Sequence, residues 1–385
     1  SQGHGATRED ALIPAPMPDQ LKNFFDRNVV ERIAAMLRAA HPSFPEQRFL
    51  AEATTGLEAH ELLGRARHIM QAMHRALPPD FERAAGILLH SLGPENEREE
   101  LQGMGVFIYL PHTLYVAEHG LDHFETSMRA HYELTKRFTA EFSIRPFLER
   151  YPRETLERLH QWAKDPNLHV RRLVSEGTRP RLPWASRLRS FQKDPRPVLA
   201  LLELLKDDPE LYVRRSVANN LNDIGKDHPE VLVDTCAHWK EGASPERLWI
   251  IRHALRSAVK RGDARALSVL GFQGGGELEV TASFQPKRVR LGERVSMTLS
   301  VTNRAKARQQ AVVDFAVHFI KANGSSSPKV FKGAKVDLLP GASCTLEKSI
   351  SFATMTTRKH YAGTHRVEAL VNGRASDLGS FTVIG

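Results

Sequence analysis

Cysteine is scarce in this chain. Of 385 residues only Cys236 and Cys344 are cysteines, far apart and in stretches of different character. Two such residues build neither a disulfide framework nor a cysteine zinc site, so a reducing compartment is expected. Long apolar runs are missing too. None approaches the roughly 20 residues that cross a bilayer, and the N-terminus has no hydrophobic signal core, so neither membrane insertion nor secretion is expected and the cytoplasm is the expected location. Residues 1–20, opening on Ser1 and containing Gly and Pro, read as a processed or vector-derived leader outside the fold. A Walker phosphate loop, a dinucleotide fingerprint and a Gly-x-Ser-x-Gly nucleophile elbow are also absent. His119 and His123 stand four apart with His112 and His131 nearby, but no glutamate is placed as in a zincin helix. These histidines read as ordinary polar surface, and neither a metal nor another cofactor is expected.

The chain is 41% hydrophobic and 26% charged, enough for two or three folded domains with a substantial core. Its formal charge of +9 raises the prospect of a polyanionic partner. That charge is unevenly spread: residues 1–150 carry 16 basic and 21 acidic side chains, residues 151–274 carry 22 and 16, and residues 275–385 carry 16 and 8. The positive field therefore belongs to the C-terminal two thirds.

From Leu21 to about Leu270 apolar residues recur at helical spacing, as in Val29, Ile33 and Leu37 or Leu134, Phe138 and Phe142, which predicts an all-helical region. Within it the run Asp165-Pro166-Asn167-Leu168-His169-Val170-Arg171-Arg172-Leu173-Val174 returns 43 residues later as Asp208-Pro209-Glu210-Leu211-Tyr212-Val213-Arg214-Arg215-Ser216-Val217. Seven of the ten positions are identical. A weaker third copy begins near Ser244-Pro245-Glu246. A period of this length with two helices per unit is the signature of a HEAT-like solenoid. After Gly274-Gly275-Gly276 the pattern changes to alternation, clearest in Val295, Met297, Leu299 and Val301. Similar runs at 278–284, 311–319, 344–352, 365–371 and 379–384, with Asn372-Gly373 as a two-residue hairpin turn, predict about seven strands in an immunoglobulin-like β-sandwich. The expected organisation is thus a multidomain chain, with an all-α HEAT-like repeat solenoid over 21–273 and an all-β immunoglobulin-like sandwich over 274–385.

Helical spacing in the second repeat puts Val213, Val217, Leu221 and Ile224 on a core stripe and Arg215, Asn219 and Asp223 on a polar one. Arg172 and Glu176 hold the equivalent polar places in the first repeat. The same spacing also suits solvated i,i+4 contacts. Between Arg171 and Ala185 four arginines, Glu176 and Trp184 crowd around a proline-broken loop. Arginines there suit backbone phosphates, and a lone acid among them is held ionised by its neighbours. Trp184 fits equally a packing role at a repeat junction.

This segment, with Leu21-Lys22-Asn23-Phe24-Phe25-Asp26, Ser143-Ile144-Arg145-Pro146-Phe147 and Ser216-Val217-Ala218-Asn219-Asn220-Leu221-Asn222-Asp223-Ile224, closely resembles the AlkC branch of the bacterial DNA alkylation-repair glycosylases. The resemblance covers roughly residues 21–270. It implies hydrolysis of the N-glycosidic bond of cationic alkylated bases, N3-methyladenine and N3-methylcytosine, in double-stranded DNA, with the lesion left largely in the duplex rather than flipped. It further implies Glu141, in Thr139-Ala140-Glu141-Phe142, and Glu176 as a central pair that stabilises a cationic sugar and positions water. Asp223 is implied as a supporting acid and Trp184 as the ring beside the sugar or the lesion. On spacing alone Glu141 is equally the polar side of an amphipathic helix. The DNA-contact candidates are Arg171, Arg172, Arg179, Arg181, Arg214, Arg215, Asn219 and Lys226. No lysine is singled out as a Schiff-base nucleophile, so hydrolysis without strand cleavage is expected, by a monomer. The basic sandwich is expected to contact DNA as well. The competing reading is a non-catalytic HEAT-repeat scaffold that binds damaged nucleic acid or a protein partner.

Overall fold

A computed structural model describes residues 23–98, 105–272, 277–353 and 359–385. The expected leader 1–20 and the Gly274–Gly276 run lie outside the described residues. The chain packs as two compact units that divide between Val217 and Ala218, inside a helix rather than at the glycine run.

Among the described residues the first unit holds α1 (Arg27–Ala40), α2 (Glu46–Thr54), α3 (Leu62–Ala76), α4 (Phe81–His90), α5 (Leu110–His119), α6 (Phe124–Thr135), α7 (Arg145–Arg150), α8 (Pro152–Trp162), α9 (Leu168–Glu176), α10 (Arg189–Lys193) and α11 (Arg196–Leu205). Helix α12 (Leu211–Asp227) crosses the division, and α13 (Pro229–Lys240), α14 (Pro245–Ala254), α15 (Arg256–Lys260) and α16 (Ala264–Val269) follow. The expected stripes are where they should be. In α1 the Asp26 carboxylate accepts the Val29 N–H at 2.9 Å, and Val29, Val30, Ile33, Ala34 and Leu37 are buried, one face at helical period. The second-repeat stripe of Val213, Val217, Leu221 and Ile224 is buried throughout. One spacing misleads. Leu134, Phe138 and Phe142 read as one helix, yet α6 stops at Thr135 and the Arg137 guanidinium donates to the Glu133 carbonyl at 2.9 Å. That carbonyl is the one a continued helix would offer to the Arg137 N–H. Phe138 is buried all the same, and residues 141–144 form a turn.

The two repeat copies fold alike. Asp165 Oδ1 accepts the Asn167 N–H at 2.8 Å, and Asp208 Oδ1 accepts the Glu210 N–H at 2.9 Å, so each Asp-Pro pair closes a turn into a helix. Arg171 then donates to the carbonyls of Asp165 and Pro166, and Arg214 to those of Asp208 and Pro209. Arg171 also grips the next repeat, with Nε 2.6 Å from Asp208 Oδ2 and Nη2 3.2 Å from Oδ1. In the third copy Ser244 replaces that aspartate and caps its own helix α14, and Arg214 Nε is left buried without a partner.

Among the described residues eight strands follow: β1 (Leu278–Gln285), β2 (Arg288–Arg290), β3 (Arg294–Asn303), β4 (Gln309–Ile320), β5 (Ser326–Leu338), β6 (Ser343–Ser351), β7 (Gly363–Val371) and β8 (Arg374–Ile384). They form a three-stranded sheet, β1-β3-β6, and a five-stranded sheet, β2-β8-β7-β4-β5. Val295, Met297 and Leu299 from one sheet and Phe315, Val317, Val367 and Phe381 from the other belong to one buried cluster, the core of an immunoglobulin-like sandwich. Asn372 and Gly373 both have positive φ, 47° and 78°, as a type I′ hairpin requires. The strand runs expected from alternation omit β2 and β5. Strand β5 lies at a sheet edge, is mostly part-exposed and contains Pro328 and Gly333, so it needs no apolar face of its own.

The histidines expected at the surface divide. His119 stacks on His74 with ring centroids 3.7 Å apart, and His123 lies 3.4 Å from Glu82, whereas His112 and His131 are fully buried. His131 stands edge-on to Phe147 and neither of its ring nitrogens has a partner. Burial pushes its pKa down to about 3. Below pH 6.5 the unfolded chain therefore binds a proton that the folded chain refuses, so stability is complete above that pH and falls on acidification, by about 1.4 kcal/mol per pH unit from this residue. Denaturant unfolding at pH 7, 6 and 5 should show that slope, and His131→Phe should flatten it by that amount. Equal acid sensitivity in the variant would contradict the assignment.

Candidate active site around Arg172

Helix α9 starts where the Asn167 side chain accepts the N–H groups of His169 and Val170, which fixes the direction of its polar side. Arg172 and Glu176, one turn apart, are not solvated: their side chains are 15% and 8% exposed, and Nη2 lies 3.7 Å from Oε1. Arg172 Nη1 also donates to Glu141 Oε2 at 2.8 Å, and its guanidinium stands 4.6 Å over the Tyr212 ring. One cation thus bridges two carboxylates that are 35 residues apart in the chain.

The two acids differ in how fully they are held. Glu176 Oε1 accepts from Arg179 Nη1 at 2.8 Å, and its Oε2 accepts from the Ser216 hydroxyl at 2.5 Å, so both oxygens are occupied. Burial pushes the Glu176 carboxyl up, but the charges of Arg172 and Arg179 and the hydrogen bonds from Ser216 and Arg179 outweigh it and hold the group below the usual carboxylate range. Burial likewise disfavours the charged Arg172, and the charges of Glu141 and Glu176 more than reverse it. Glu141 sits in the turn between α6 and α7, not on a helix. Its Oε2 accepts from Arg172 and from Thr139 Oγ1 at 2.9 Å, and its Oε1 accepts no hydrogen bond among the described residues. The cluster of Glu141, Arg172, Glu176 and Arg179 carries no net charge, yet presents one unoccupied carboxylate oxygen. Such a group can face a developing cation or orient a water.

The loop after α9 is pinned from beneath. Buried Arg145 donates to the carbonyls of Gly177 at 3.1 Å, Arg179 at 2.8 Å and Ser186 at 2.6 Å. Gly177 must lack a side chain, since a Cβ there would meet Ile144 Cγ2 at 2.7 Å. On this loop Trp184 is 70% exposed with φ of +62°. A packing role is excluded by that exposure. A non-glycine residue in the left-handed region costs on the order of 1–3 kcal/mol, a strain found chiefly at working sites.

The remaining candidates are placed as follows. Arg171 and Arg214 are engaged in their own repeat turns, Arg181 is half-buried and Arg215 is exposed. In the second unit Asp223 is 1% exposed and accepts from Lys226 Nζ at 3.0 Å. Asn219, the repeat equivalent of Glu176, accepts from Arg256 Nη2 at 2.9 Å. Thr139, Tyr212, Ser216 and Arg145 complete the site and were not expected. Ser216 did leave a trace in the sequence: it replaces Leu173 of the first repeat at a position buried in both copies, where a hydroxyl needs a partner. Among the described residues no group of three or more His, Cys, Asp or Glu side chains is set to hold a metal.

Comparison with known proteins adds four findings. Residues 136–256 match the family described as DNA alkylation repair enzyme, and residues 279–385 match the C-terminal Ig-like domain of the uncharacterised protein YhaZ. The uncharacterized protein YhaZ of Bacillus subtilis (strain 168) is 35% identical over 367 residues, which is 94% of this chain and 99% of that protein. The structure of Pseudomonas fluorescens alkylpurine DNA glycosylase AlkC, bound to DNA containing an abasic site analog, is similar at a TM-score of 0.78 and 37% identity, over 95% of this chain and 99% of that one.

Replacing Glu176 by Gln leaves Arg179 without its buried countercharge and Arg172 with Glu141 alone, and should destabilise the fold by about 3 kcal/mol at pH 7. Because the folded carboxyl is held below its ordinary pKa, its stabilisation is present above about pH 4.5 and is lost as pH falls through the lowered value. The gap between Glu176→Gln and wild type in denaturant unfolding should therefore close in acid. A gap that is independent of pH would contradict the ion-pair account.

Proposed function

The chain belongs to the AlkC branch of the DNA alkylation-repair glycosylases, and on that premise we propose that it is a monofunctional, monomeric DNA glycosylase of base excision repair. Its substrates in this reading are N3-methyladenine and N3-methylcytosine in double-stranded DNA, with residues 21–273 as the glycosylase domain and 274–385 as an appended module. The observation that carries the proposal is the half-buried Arg172 clamped between half-buried Glu141 and buried Glu176. A protein that only bound phosphate would gain nothing from two carboxylates set among its arginines.

An alkylated base is a cation and already a good leaving group, so the barrier lies in the positive charge left on the deoxyribose. A carboxylate at ~4 Å in an effective dielectric near 20 interacts with that charge by ~4 kcal/mol, worth about 10³ in rate if expressed mainly in the transition state. Glu141, with its open oxygen, is the acid placed for this task and for directing the attacking water. Glu176 keeps Arg172 in position beside Glu141. In this reading hydrolysis proceeds without strand cleavage. Exposed Trp184 supplies a ring face for a cationic lesion left largely in the duplex.

Base release from methylated duplex DNA tests the proposal. Glu141→Gln should slow single-turnover release of N3-methyladenine by about 10³ with DNA affinity within about threefold of wild type. No release by the wild-type protein above background would sink the glycosylase reading. For the sandwich, Lys287, Arg288 and Arg290 are exposed on and beside β2. Changing all three to Gln should weaken DNA binding and lower the slope of log affinity against log salt by about 0.9 per phosphate left unneutralised. An unchanged slope would remove this face of the sandwich from the DNA interface.

A further inference from the structure

Beside the loop that Arg145 pins, within the first unit, lies a cavity of about 270 Å³, of whose lining the chemistry above uses only Trp184. Its floor is apolar, from Leu110 and Leu114 of α5 and from Pro146. Two aromatic rings line it, Trp184 and Phe142, and Phe142 is the residue directly after Glu141. Leu63, which also lines it, is 39% exposed and Trp184 is 70% exposed, so part of the wall meets solvent as unpaired apolar surface. Four ionisable groups border the space and their charges cancel. Arg67 and Glu118 pair at 2.7 Å, and the other two are buried Arg145 and exposed Glu149.

These features select a ligand by size and by charge. Pockets that hold drug-sized molecules run from roughly 300 to 1,000 Å³, so this one suits a single planar ring system. Aromatic walls favour a π-face, and cancelled border charges give no preference for a cation or an anion. Hydrolysis of a cationic alkylated nucleotide yields such a molecule. As the C1′–N bond breaks, its electron pair returns to the ring and cancels the positive charge, while water supplies the hydroxyl that bonds C1′ and a proton leaves to solvent. The base enters the reaction charged and leaves it neutral.

We infer that the cavity walled by Trp184, Phe142 and helix α5 is a binding site for the excised neutral base, an inference that rests on the glycosylase reading. The site holds the product against Phe142, the residue that follows Glu141 in the chain, after the bond is cut, and so it acts after catalysis and does not require the intact nucleotide to leave the duplex. Ala117 of α5 lines the same space and lies outside the catalytic cluster, so side chains built there fill the cavity without touching the acids.

Free N3-methyladenine titrated into the full-length protein, followed by tryptophan emission and by calorimetry, reads the site directly. Binding should be saturable at one equivalent and should weaken by at least about tenfold in both Ala117→Phe and Ala117→Leu, the second a milder filling that guards against misfolding of the first. Both variants should still release base from methylated DNA in a single turnover at the wild-type rate. A wild-type protein that releases base from DNA yet shows no saturable binding of free base overturns the inference, as does binding unchanged in both variants. Absence of base release from DNA overturns the glycosylase reading instead, which keeps the two failures apart.

Discussion

Arg172 is the interaction on which the rest of the site depends. A guanidinium taken out of water is costly unless charge and hydrogen bonds replace the solvent, and here two carboxylates and the Tyr212 ring do so. The same geometry solves the converse problem for the acids. Two buried carboxylates near one another would repel until one took up a proton. With Arg172 between Glu141 and Glu176, and Arg179 on the far side of Glu176, the Glu176 carboxyl is held below its usual range. The surroundings leave the two acids differently held: both oxygens of Glu176 accept hydrogen bonds, and one oxygen of Glu141 accepts none among the described residues.

The repeat supplies the frame that aims Arg172. In both copies the first arginine of the pair bonds its own Asp-Pro turn, Arg171 adding Asp208 of the next copy, and in the first copy the second arginine is the one that reaches Glu141. The Asp208 carboxylate, held by Arg171 of the preceding copy, closes the turn that opens α12 and so sets the Tyr212 ring and the Ser216 hydroxyl against the Arg172 cluster. One ten-residue pattern therefore serves two purposes. It joins one repeat to the next, and it delivers a ring and a hydroxyl to a site assembled mostly from the helix before it.

Periodicity made the two fold classes legible, because the buried stripes of α1 and α12 and the alternation in β3 depend on side chains a few residues apart. It failed where geometry is set over longer range. The stripe through Leu134, Phe138 and Phe142 hid a turn, because Phe138 is buried by tertiary packing whether or not a helix continues, and that turn is what presents Glu141. Edge strand β5 was hidden for the opposite reason, having little to bury. The resemblance to a repair family implied Glu141 and Glu176 as a pair, and the structure brings both of them to Arg172. It offered no hint that Thr139, Ser216 and Tyr212 complete the site: Thr139 is an ordinary neighbour two residues from Glu141, and the roles of Ser216 and Tyr212 exist only across 40 residues of chain. Arg171 looked like a phosphate ligand by composition and is held in a repeat turn by geometry.

The central claim is that Arg172 and Glu141 act as one unit on the reacting sugar. A double-mutant cycle of single-turnover base release from methylated duplex DNA, with Glu141→Gln, Arg172→Met and the pair, tests it most directly. Non-additive losses, with the double variant about as slow as Glu141→Gln alone, are what the structure predicts. Losses that multiply, each variant acting as though the other were absent, would contradict it.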